Sequence, residues 1–210
     1  ASNLYAVELD NITGAVAKHL YPEANVKAPM GFQDYQIIDN YFDIAIGNPP
    51  FSSITINDQV KPKISGFSLH NYFFAKSVDS LKPNGILAMV VTNRFLDKMG
   101  DKERSYIAER AELVGAIRLP NDAFLSNAGT QVTTDIIFLR KKAEGETSTG
   151  ETWLDVKDYK DKDGNSVPLN EYFVRHPENM LGDFGAYGSM YRDGEPALIK
   201  RDGQNTEQLL

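Results

Sequence analysis

Short apolar runs that read as β-strands alternate with helix-like segments from residue 4 to about residue 141, and this alternation constrains the fold more than any other feature. A repeated strand–helix–strand order is typical of α/β domains with a largely parallel sheet, because each helix returns the chain across the sheet. The strongest run is Ile86–Thr92, in which no polar residue stands between Ile86 and Val91. Such continuous apolarity predicts a central strand that is covered on both faces.

Two of the other predicted strands read as buried, Leu4–Leu9 and Phe42–Gly47. The remaining predicted strands are Asn25–Ala28, Leu113–Leu119 and Thr133–Arg140. Between the predicted strands Leu4–Leu9 and Asn25–Ala28, Asp10 or Asn11 is placed to cap a helix that ends at about Leu20. These elements together predict an α/β domain.

The composition changes beyond the last of these strands. The stretch 144–151 is rich in glycine, threonine and glutamate, which is typical of a solvated linker or loop. The residues after it carry many turn signals and few strand-like runs. We therefore divide the chain into a main domain, residues 1–142, and a linker with a turn-rich C-terminal extension, residues 143–210, that contains a small hairpin.

The charge, cysteine and histidine content excludes several classes of function. Lysine and arginine number 22 against 29 aspartate and glutamate, so the formal net charge of −7 does not favour strong nucleic-acid binding by this chain alone. The absence of cysteine excludes disulfides and thiolate metal sites and fits a cytoplasmic protein. The longest apolar run, Gly85–Val91, is far shorter than the ~20 residues that span a bilayer, so no membrane association is expected. No metal site is expected, because the histidines lie far apart at His19, His70 and His176.

The tetrapeptide Asn48-Pro49-Pro50-Phe51 directly follows one of the strands predicted to be buried. Its two consecutive prolines restrict the backbone and remove two amide donors. Asn48 precedes a proline and is therefore pushed toward extended geometry. The sequence predicts a rigid segment at the carboxyl edge of the sheet, which is where open α/β sheets bind ligands.

This segment carries the groups needed to hold an exocyclic amine. Asn48 Oδ1 and a backbone carbonyl can accept the two N–H groups, while the Phe51 side chain stacks on the ring that carries the amine. Accepting both hydrogens directs the nitrogen lone pair outward, toward an electrophile. The simpler alternative is a turn that ends one strand and starts a helix, but the preceding strand and the aromatic residue favour a functional site.

The run from Phe42 to Phe51 resembles the catalytic motif of methyltransferases that act on amino groups with S-adenosylmethionine. It is most similar to the gamma-class N6-adenine DNA methyltransferases, and the similarity extends over residues 4–141. Within that class, the chain resembles the methylase parts of large methylase–helicase proteins of mobile elements and phages. The resemblance implies a Rossmann-like methyltransferase fold, S-adenosylmethionine as cofactor, and methyl transfer to the N6 amine of adenine in DNA, as in restriction–modification.

The resemblance also implies which residues contact the target base. Asn48-Pro49-Pro50-Phe51 matches the catalytic motif, in which Asn48 and the Pro49 carbonyl hold the amine and Phe51 stacks on the base. Phe124, which precedes the stretch 129–140, matches the loop and strand that complete the target-base pocket.

Three further residues match positions that bind the cofactor in this family. Glu8, near the end of its strand, matches the acidic residue that accepts hydrogen bonds from the ribose hydroxyls. Asp34 matches the aspartate that accepts a hydrogen bond from the adenine amine of the cofactor. Tyr35 either lines that adenine or covers the sheet.

The family's glycine-rich cofactor loop and its preceding strand stand upstream of the strand that begins here at Leu4. We therefore expect the chain to be a fragment of a longer polypeptide that lacks that first strand and loop and binds the cofactor poorly or not at all. No region that reads DNA sequence is evident. DNA contacts are expected mainly from regions outside the fragment, with a helicase or specificity region of the same longer chain as the partner.

The motif indicates an sp² amine and does not identify the molecule that carries it. Asn-Pro-Pro-Phe also resembles RNA guanine-N2 methyltransferases, and Asn-Pro-Pro-Tyr relatives methylate a glutamine amide in release factors. A third alternative is a degenerate methylase fold that docks on DNA or on a helicase without catalysis. The stretch 129–140 and the resemblance to mobile-element methylases favour DNA adenine.

Overall fold

The structure is a computed structural model that describes residues 3–52, 54–100, 102–125, 129, 131–189 and 193–203. The strands of these residues are β1 (Tyr5–Val7), β2 (Asn25–Lys27), β3 (Phe42–Gly47), β4 (Leu81–Thr92), β5 (Ala111–Leu119), β6 (Thr134–Lys141), β7 (Val156–Lys160), β8 (Ser166–Asn170), β9 (Asp183–Gly188) and β10 (Glu195–Ile199). The helices are α1 (Asn11–Leu20), α2 (Leu69–Ser80), α3 (Arg94–Asp97), α4 (Lys102–Arg110), α5 (Glu171–Arg175) and a 3-10 helix, Pro177–Asn179. None of the described helices is long and apolar enough to cross a membrane.

Four strands form the main sheet in the spatial order β3-β4-β6-β5. β3 and β4 are parallel, and β6 is antiparallel to both β4 and β5. β3, β4 and β5 therefore run in one direction and β6 in the other. The main sheet is thus mixed, with one parallel and two antiparallel pairings, where the sequence predicts a mostly parallel sheet. β4 pairs along both edges, so its predicted central position is also confirmed.

The prediction that both faces of β4 are covered is wrong. Leu87, Met89 and Val91 are buried in the core together with Phe74 of α2. The side chains that alternate with them are half-buried or exposed, and Ile86 is 37% exposed. The apolar run therefore reflects one deeply buried face, because a strand directs successive side chains to opposite faces.

β1 and β2 form a separate, parallel two-stranded sheet. The prediction that β1 and β3 are buried is wrong, since Leu4 and Leu9 beside β1 are 58% and 72% exposed, and Ile44 and Ile46 of β3 are 61% and 80% exposed. Within the described chain, β1 pairs with β2 alone and β3 with β4 alone. β1 and β3 therefore each have one unpaired edge within the described chain. Their apolar side chains are largely exposed, so an apolar composition does not mean burial here.

Helix α1 begins and ends close to the predicted positions because its first turn is capped. The Asp10 carboxylate accepts a hydrogen bond from the Thr13 amide at 2.7 Å, and this hydrogen bond lowers the pKa of Asp10. Gly14 faces the end of β2, where a Cβ atom would lie 2.2 Å from Ala28 Cβ. The packing of α1 beside β2 therefore requires glycine at this position.

The C-terminal extension forms two antiparallel hairpins, β7–β8 and β9–β10. Its apolar side chains enter the core of the main sheet. Trp153 stacks on Phe95 with 6.1 Å between ring centres, and Phe173 is fully buried. The extension also contacts the edge strand β5, where the Leu181 amide donates to the Arg118 carbonyl at 2.9 Å. The predicted extension is therefore packed on the main domain.

A buried charge network centred on Arg118 joins the sheet to this extension. The fully buried Arg118 donates from Nε and Nη2 to the two carboxylate oxygens of Asp135 at 2.7 and 2.8 Å. Its Nη1 lies 2.8 Å from Asp97 Oδ2, and Asp97 Oδ1 accepts from the Asn170 amide at 2.9 Å. Against the effect of burial, the two carboxylates raise the pKa of Arg118, so the guanidinium remains charged.

Candidate active site

Asn48-Pro49-Pro50-Phe51 leaves the main sheet at the carboxyl end of β3, beside the parallel strand β4. Pro49 is buried, whereas Asn48 and Pro50 are exposed and Phe51 is 40% exposed. The buried proline holds the segment against the protein. An amide and an aromatic ring are thus presented from a backbone of low flexibility.

Phe51 lines a cavity of about 790 Å³ at this edge of the sheet. Sites for small molecules and cofactors commonly enclose about 300–1,000 Å³, so the cavity is large enough for a nucleotide. Polar side chains from several elements line it as well, including Asn93, Arg94, Lys98, Asn121, Gln131 and Glu195. The cavity therefore combines a ring for stacking with groups that can hydrogen-bond a base or a phosphate.

The hairpin β9–β10 forms one wall of this cavity through Gly188, Ser189, Glu195, Pro196 and Ala197. Two hydrogen bonds attach β10 to the main domain: the Leu198 amide donates to Thr133 Oγ1 at 2.9 Å, and the Asn121 amide donates to the Leu198 carbonyl at 2.8 Å. Sequence reasoning missed this wall, because the hairpin carries no recognisable motif and only tertiary packing brings it to the cavity.

Phe124, the other predicted base-binding residue, is half-buried in the turn after β5. Of the described residues in this turn, Asn121 lines the cavity and Phe124 does not. The stretch 129–140 contributes Gln131 to the lining, whereas Thr130 lies outside the described residues. A contact between Phe124 and the target base remains a prediction.

Glu8 directly follows β1 and is half-buried. Its Oε1 accepts a hydrogen bond from the Asp10 amide at 2.7 Å, which holds the carboxylate at the start of α1. An ionised carboxylate has about four acceptor positions. Besides this hydrogen bond, the Glu8 carboxylate can therefore still accept hydrogen bonds from two ribose hydroxyls.

Asp34 and Tyr35 lie in the segment between β2 and β3. The exposed Asp34 carboxylate accepts a hydrogen bond from the Gln33 side-chain amide at 3.0 Å. Tyr35 is half-buried, and burial together with the neighbouring Tyr41 raises its pKa, so its phenol is neutral at physiological pH. Tyr41 is also hydrogen-bonded to Tyr5 of β1 at 3.0 Å, which places this segment beside β1.

Phe32 in this segment, and Phe73 and Lys76 on helix α2, have no role in the sequence prediction. Phe32 and Phe73 of α2 stack with 4.6 Å between ring centres and 22° between ring planes. Lys76 of α2 donates to the Phe32 and Gln33 carbonyls at 2.7 and 3.1 Å. The available signal was a lysine one helical turn after Tyr72, directly after the apolar run Tyr72–Ala75. Lysine is rarely buried in such a place unless its charge is paired.

Comparison with known proteins assigns the chain to a family. A family model described as the Eco57I restriction-modification methylase matches residues 7–124, which is more than half of the chain. The chain belongs to the Eco57I restriction-modification methylase family. The matched range contains every residue of the predicted site, namely Glu8, Asp34, Tyr35, Asn48-Pro49-Pro50-Phe51 and Phe124.

Two curated relatives are far longer than this chain. Defense against restriction protein B of Escherichia phage P1 is 28% identical over 139 residues, which cover 65% of this chain and 6% of that protein. The type II restriction enzyme and methyltransferase RM.Eco57I of Escherichia coli is 26% identical over 145 residues, which cover 63% of this chain and 13% of that protein. The chain therefore corresponds to a small part of either relative.

A solved structure extends the fold similarity to almost the whole chain. A modification subunit assigned to a type I restriction enzyme of Vibrio vulnificus superposes with a TM-score of 0.55 over 97% of this chain and 48% of that one. Its identity is 14%, so the likeness shows the fold alone. The α/β methyltransferase-type fold predicted from the sequence is thereby confirmed, and the superposed region includes the C-terminal hairpins.

Proposed function

We propose that this chain carries a catalytic part of an S-adenosylmethionine-dependent methyltransferase that modifies the N6 amine of adenine in DNA. The observation that carries the proposal is the position of Asn48-Pro49-Pro50-Phe51. The segment ends strand β3 in a chain of the Eco57I methylase family, and its Phe51 ring lines a cavity of about 790 Å³. A ring that lines a cavity of this size suits a nucleotide that has left the stack of a DNA duplex.

The residues between β1 and β3 have the chemistry needed to hold S-adenosylmethionine. Glu8 provides a half-buried carboxylate for the ribose hydroxyls, and Asp34 provides an exposed carboxylate for the adenine amine. The half-buried ring of Tyr35, the residue after Asp34, offers an apolar surface. The cofactor, when bound, supplies an electrophilic methyl group.

Asn48 and the Pro49 carbonyl would accept the two N–H groups of the target amine, and Phe51 would stack on its ring. Accepting both hydrogens orients the nitrogen lone pair toward the methyl group and stabilises the positive charge that develops on the nitrogen. As the lone pair forms the new N–C bond, the bond between the methyl group and the cofactor's sulfur would break, and the nitrogen would then release a proton to water. The protein thus contributes orientation and electrostatic stabilisation.

DNA binding would depend mainly on other regions of a longer polypeptide. The chain has a formal net charge of −7, which does not favour phosphate contacts, and it spans only 6% and 13% of its two curated relatives. A specificity or helicase region of the same polypeptide is the partner that fits this arrangement.

Radiolabelled S-adenosylmethionine tests the proposed function. The 210-residue chain and a version extended at its N-terminus would be incubated separately with duplex DNA, tRNA and a release factor. We expect the label in N6-methyldeoxyadenosine after nuclease digestion, with the higher rate from the extended protein. Label in guanosine or in a glutamine side chain would instead support the RNA or protein alternative. Absence of transfer to every substrate would support the non-catalytic docking module.

Replacing Phe51 by alanine is expected to raise the KM for DNA roughly ten- to hundredfold, because a base–aromatic stacking contact contributes about 1–3 kcal/mol. Phe51 is 40% exposed, so the temperature of unfolding should change little. Phe51→Tyr retains the ring and serves as the control. Steady-state kinetics with an unchanged KM in Phe51→Ala would contradict the stacking role.

A further inference from the structure

Three polar side chains on and beside α2 form a buried group. Lys76, Tyr72 and Asp58 are 1%, 0% and 3% exposed. Lys76 Nζ donates to Tyr72 Oη at 3.0 Å and to Asp58 Oδ2 at 3.3 Å, and Tyr72 donates to the same Asp58 oxygen at 2.5 Å. These three residues are called the Lys76 cluster below.

The Lys76 cluster holds the segment that carries Asp34. Lys76 Nζ also donates to the Phe32 and Gln33 carbonyls at 2.7 and 3.1 Å. It lies 5.3 Å from the centre of the Phe32 ring, within range of a cation–π interaction. The backbone just before Asp34 is thus fixed to α2 at two consecutive carbonyls.

The same cluster holds the segment that follows Asn48-Pro49-Pro50-Phe51. Asp58 Oδ1 accepts hydrogen bonds from the Val60 and Lys61 amides at 2.8 and 2.9 Å. Its other carboxylate oxygen accepts hydrogen bonds from the Tyr72 hydroxyl and the Lys76 ammonium. The cluster therefore connects the segment proposed to bind the cofactor with the polypeptide that leaves the proposed catalytic tetrapeptide.

Stability alone does not account for a lysine at this position. Burial lowers the pKa of Lys76 while Asp58 opposes that effect, so the ammonium is desolvated as well as paired. A buried ion pair is often no more stabilising than apolar side chains of similar volume. The hydrogen bonds from one ammonium to two segments of the chain are directional, and an apolar residue cannot supply them.

We propose that Lys76 is a positioning residue that fixes residues 31–35 so that Asp34 is presented to the adenine of the cofactor. The inference rests on the proposed function for its ligand and on the hydrogen bonds of the Lys76 cluster for its mechanism. Lys76 acts through the backbone of Phe32 and Gln33, and contact between Lys76 and the cofactor is not required.

Lys76→Met tests this inference, because methionine has a similar length and removes the charge and the donors. Lys76→Arg retains the charge. Asp58→Asn removes the ion pair, while its amide oxygen can still accept hydrogen bonds from the Val60 and Lys61 amides. Val78→Ala is the matched control, since Val78 is fully buried on the same helix and packs in the apolar core. Each variant would be made in the extended protein. We would measure amide hydrogen exchange at residues 31–35, thermal unfolding, and binding of S-adenosylhomocysteine by calorimetry.

We expect Lys76→Met to accelerate exchange at residues 31–35 at least tenfold and to raise the Kd for S-adenosylhomocysteine about tenfold. Lys76→Arg and Asp58→Asn should have smaller effects in the same direction, whereas Val78→Ala should lower only the temperature of unfolding. In turnover assays of the extended protein, Lys76→Met should raise the KM for S-adenosylmethionine and leave kcat within about twofold.

Exchange at residues 31–35 and Kd values equal to those of the unsubstituted protein in Lys76→Met would overturn the inference. Equal effects of Lys76→Met and Val78→Ala on exchange would also overturn it, because they would reflect general destabilisation. If the extended protein shows no binding of S-adenosylhomocysteine, the proposed function fails. Accelerated exchange in Lys76→Met would then still establish that Lys76 fixes this segment.

Discussion

Asn48→Ala is expected to lower the kcat for methyl transfer by about 100- to 1,000-fold, since removal of one preorganised hydrogen-bonding group at the reacting atom typically has an effect of this size. Without the Asn48 oxygen, the target amine loses an acceptor that orients its lone pair and stabilises its developing charge. The Asn48 side chain is exposed, so the free energy of unfolding should be unaffected. Single-turnover transfer of labelled methyl groups to DNA by the extended protein measures the effect on chemistry.

Asn48→Asp provides a control for this prediction. Aspartate keeps an acceptor oxygen at the same position, so its loss of rate should be smaller than that of alanine. Binding of S-adenosylhomocysteine should be unchanged in both variants, because Asn48 is assigned to the substrate and not to the cofactor. A kcat in Asn48→Ala within threefold of the original value would contradict the proposed role of the tetrapeptide.

Arg118→Met is expected to lower the free energy of unfolding by about 3–5 kcal/mol, because removing one partner of a buried ion pair leaves uncompensated charge in the interior. Asp135 is fully buried beside the guanidinium, and Asp97 lies within 2.8 Å of it. For a chain of this length, such a loss corresponds to a decrease of about 10 °C in the temperature of unfolding.

Urea denaturation measures the free energy of unfolding, and Arg201→Met is the control. Arg201 pairs with Asp183 at the surface, where an ion pair contributes about 0–1 kcal/mol.

The destabilisation by Arg118→Met should depend on pH. Burial raises the pKa of Asp135 to about 6 even with Arg118 present. The folded state therefore keeps a proton on Asp135 that the unfolded state releases near pH 4. This carboxyl group favours folding below pH 4, and its contribution to stability is lost as the pH rises through about 6. Without Arg118 the pKa of Asp135 rises further. The loss of stability should thus be smaller at pH 5 than at pH 8, and an equal loss at both values would show that Asp135 is not the destabilising charge.

The local elements were predictable because their signals are local. Asp10 caps α1 through its own carboxylate, and the strand Phe42–Gly47 is bounded by the prolines that follow it. The burial of these elements was not predictable in the same way. Ile46 is 80% exposed although it stands in an apolar strand, because burial depends on what packs against that face.

The amino-acid sequence by itself determined the order of strands β1 to β6, the α/β class of the fold, and the position of the Asn48-Pro49-Pro50-Phe51 segment at the end of a strand. These properties depend on residues close together in the chain, namely apolar periodicity, capping residues and proline geometry. Only the tertiary structure placed the hairpin β9–β10 on the cavity beside Phe51, Arg118 between two buried carboxylates, and Lys76 under the segment that carries Asp34. Such contacts join residues far apart in the chain, and their energies depend on burial and on hydrogen-bond geometry, which exist only once the chain has folded.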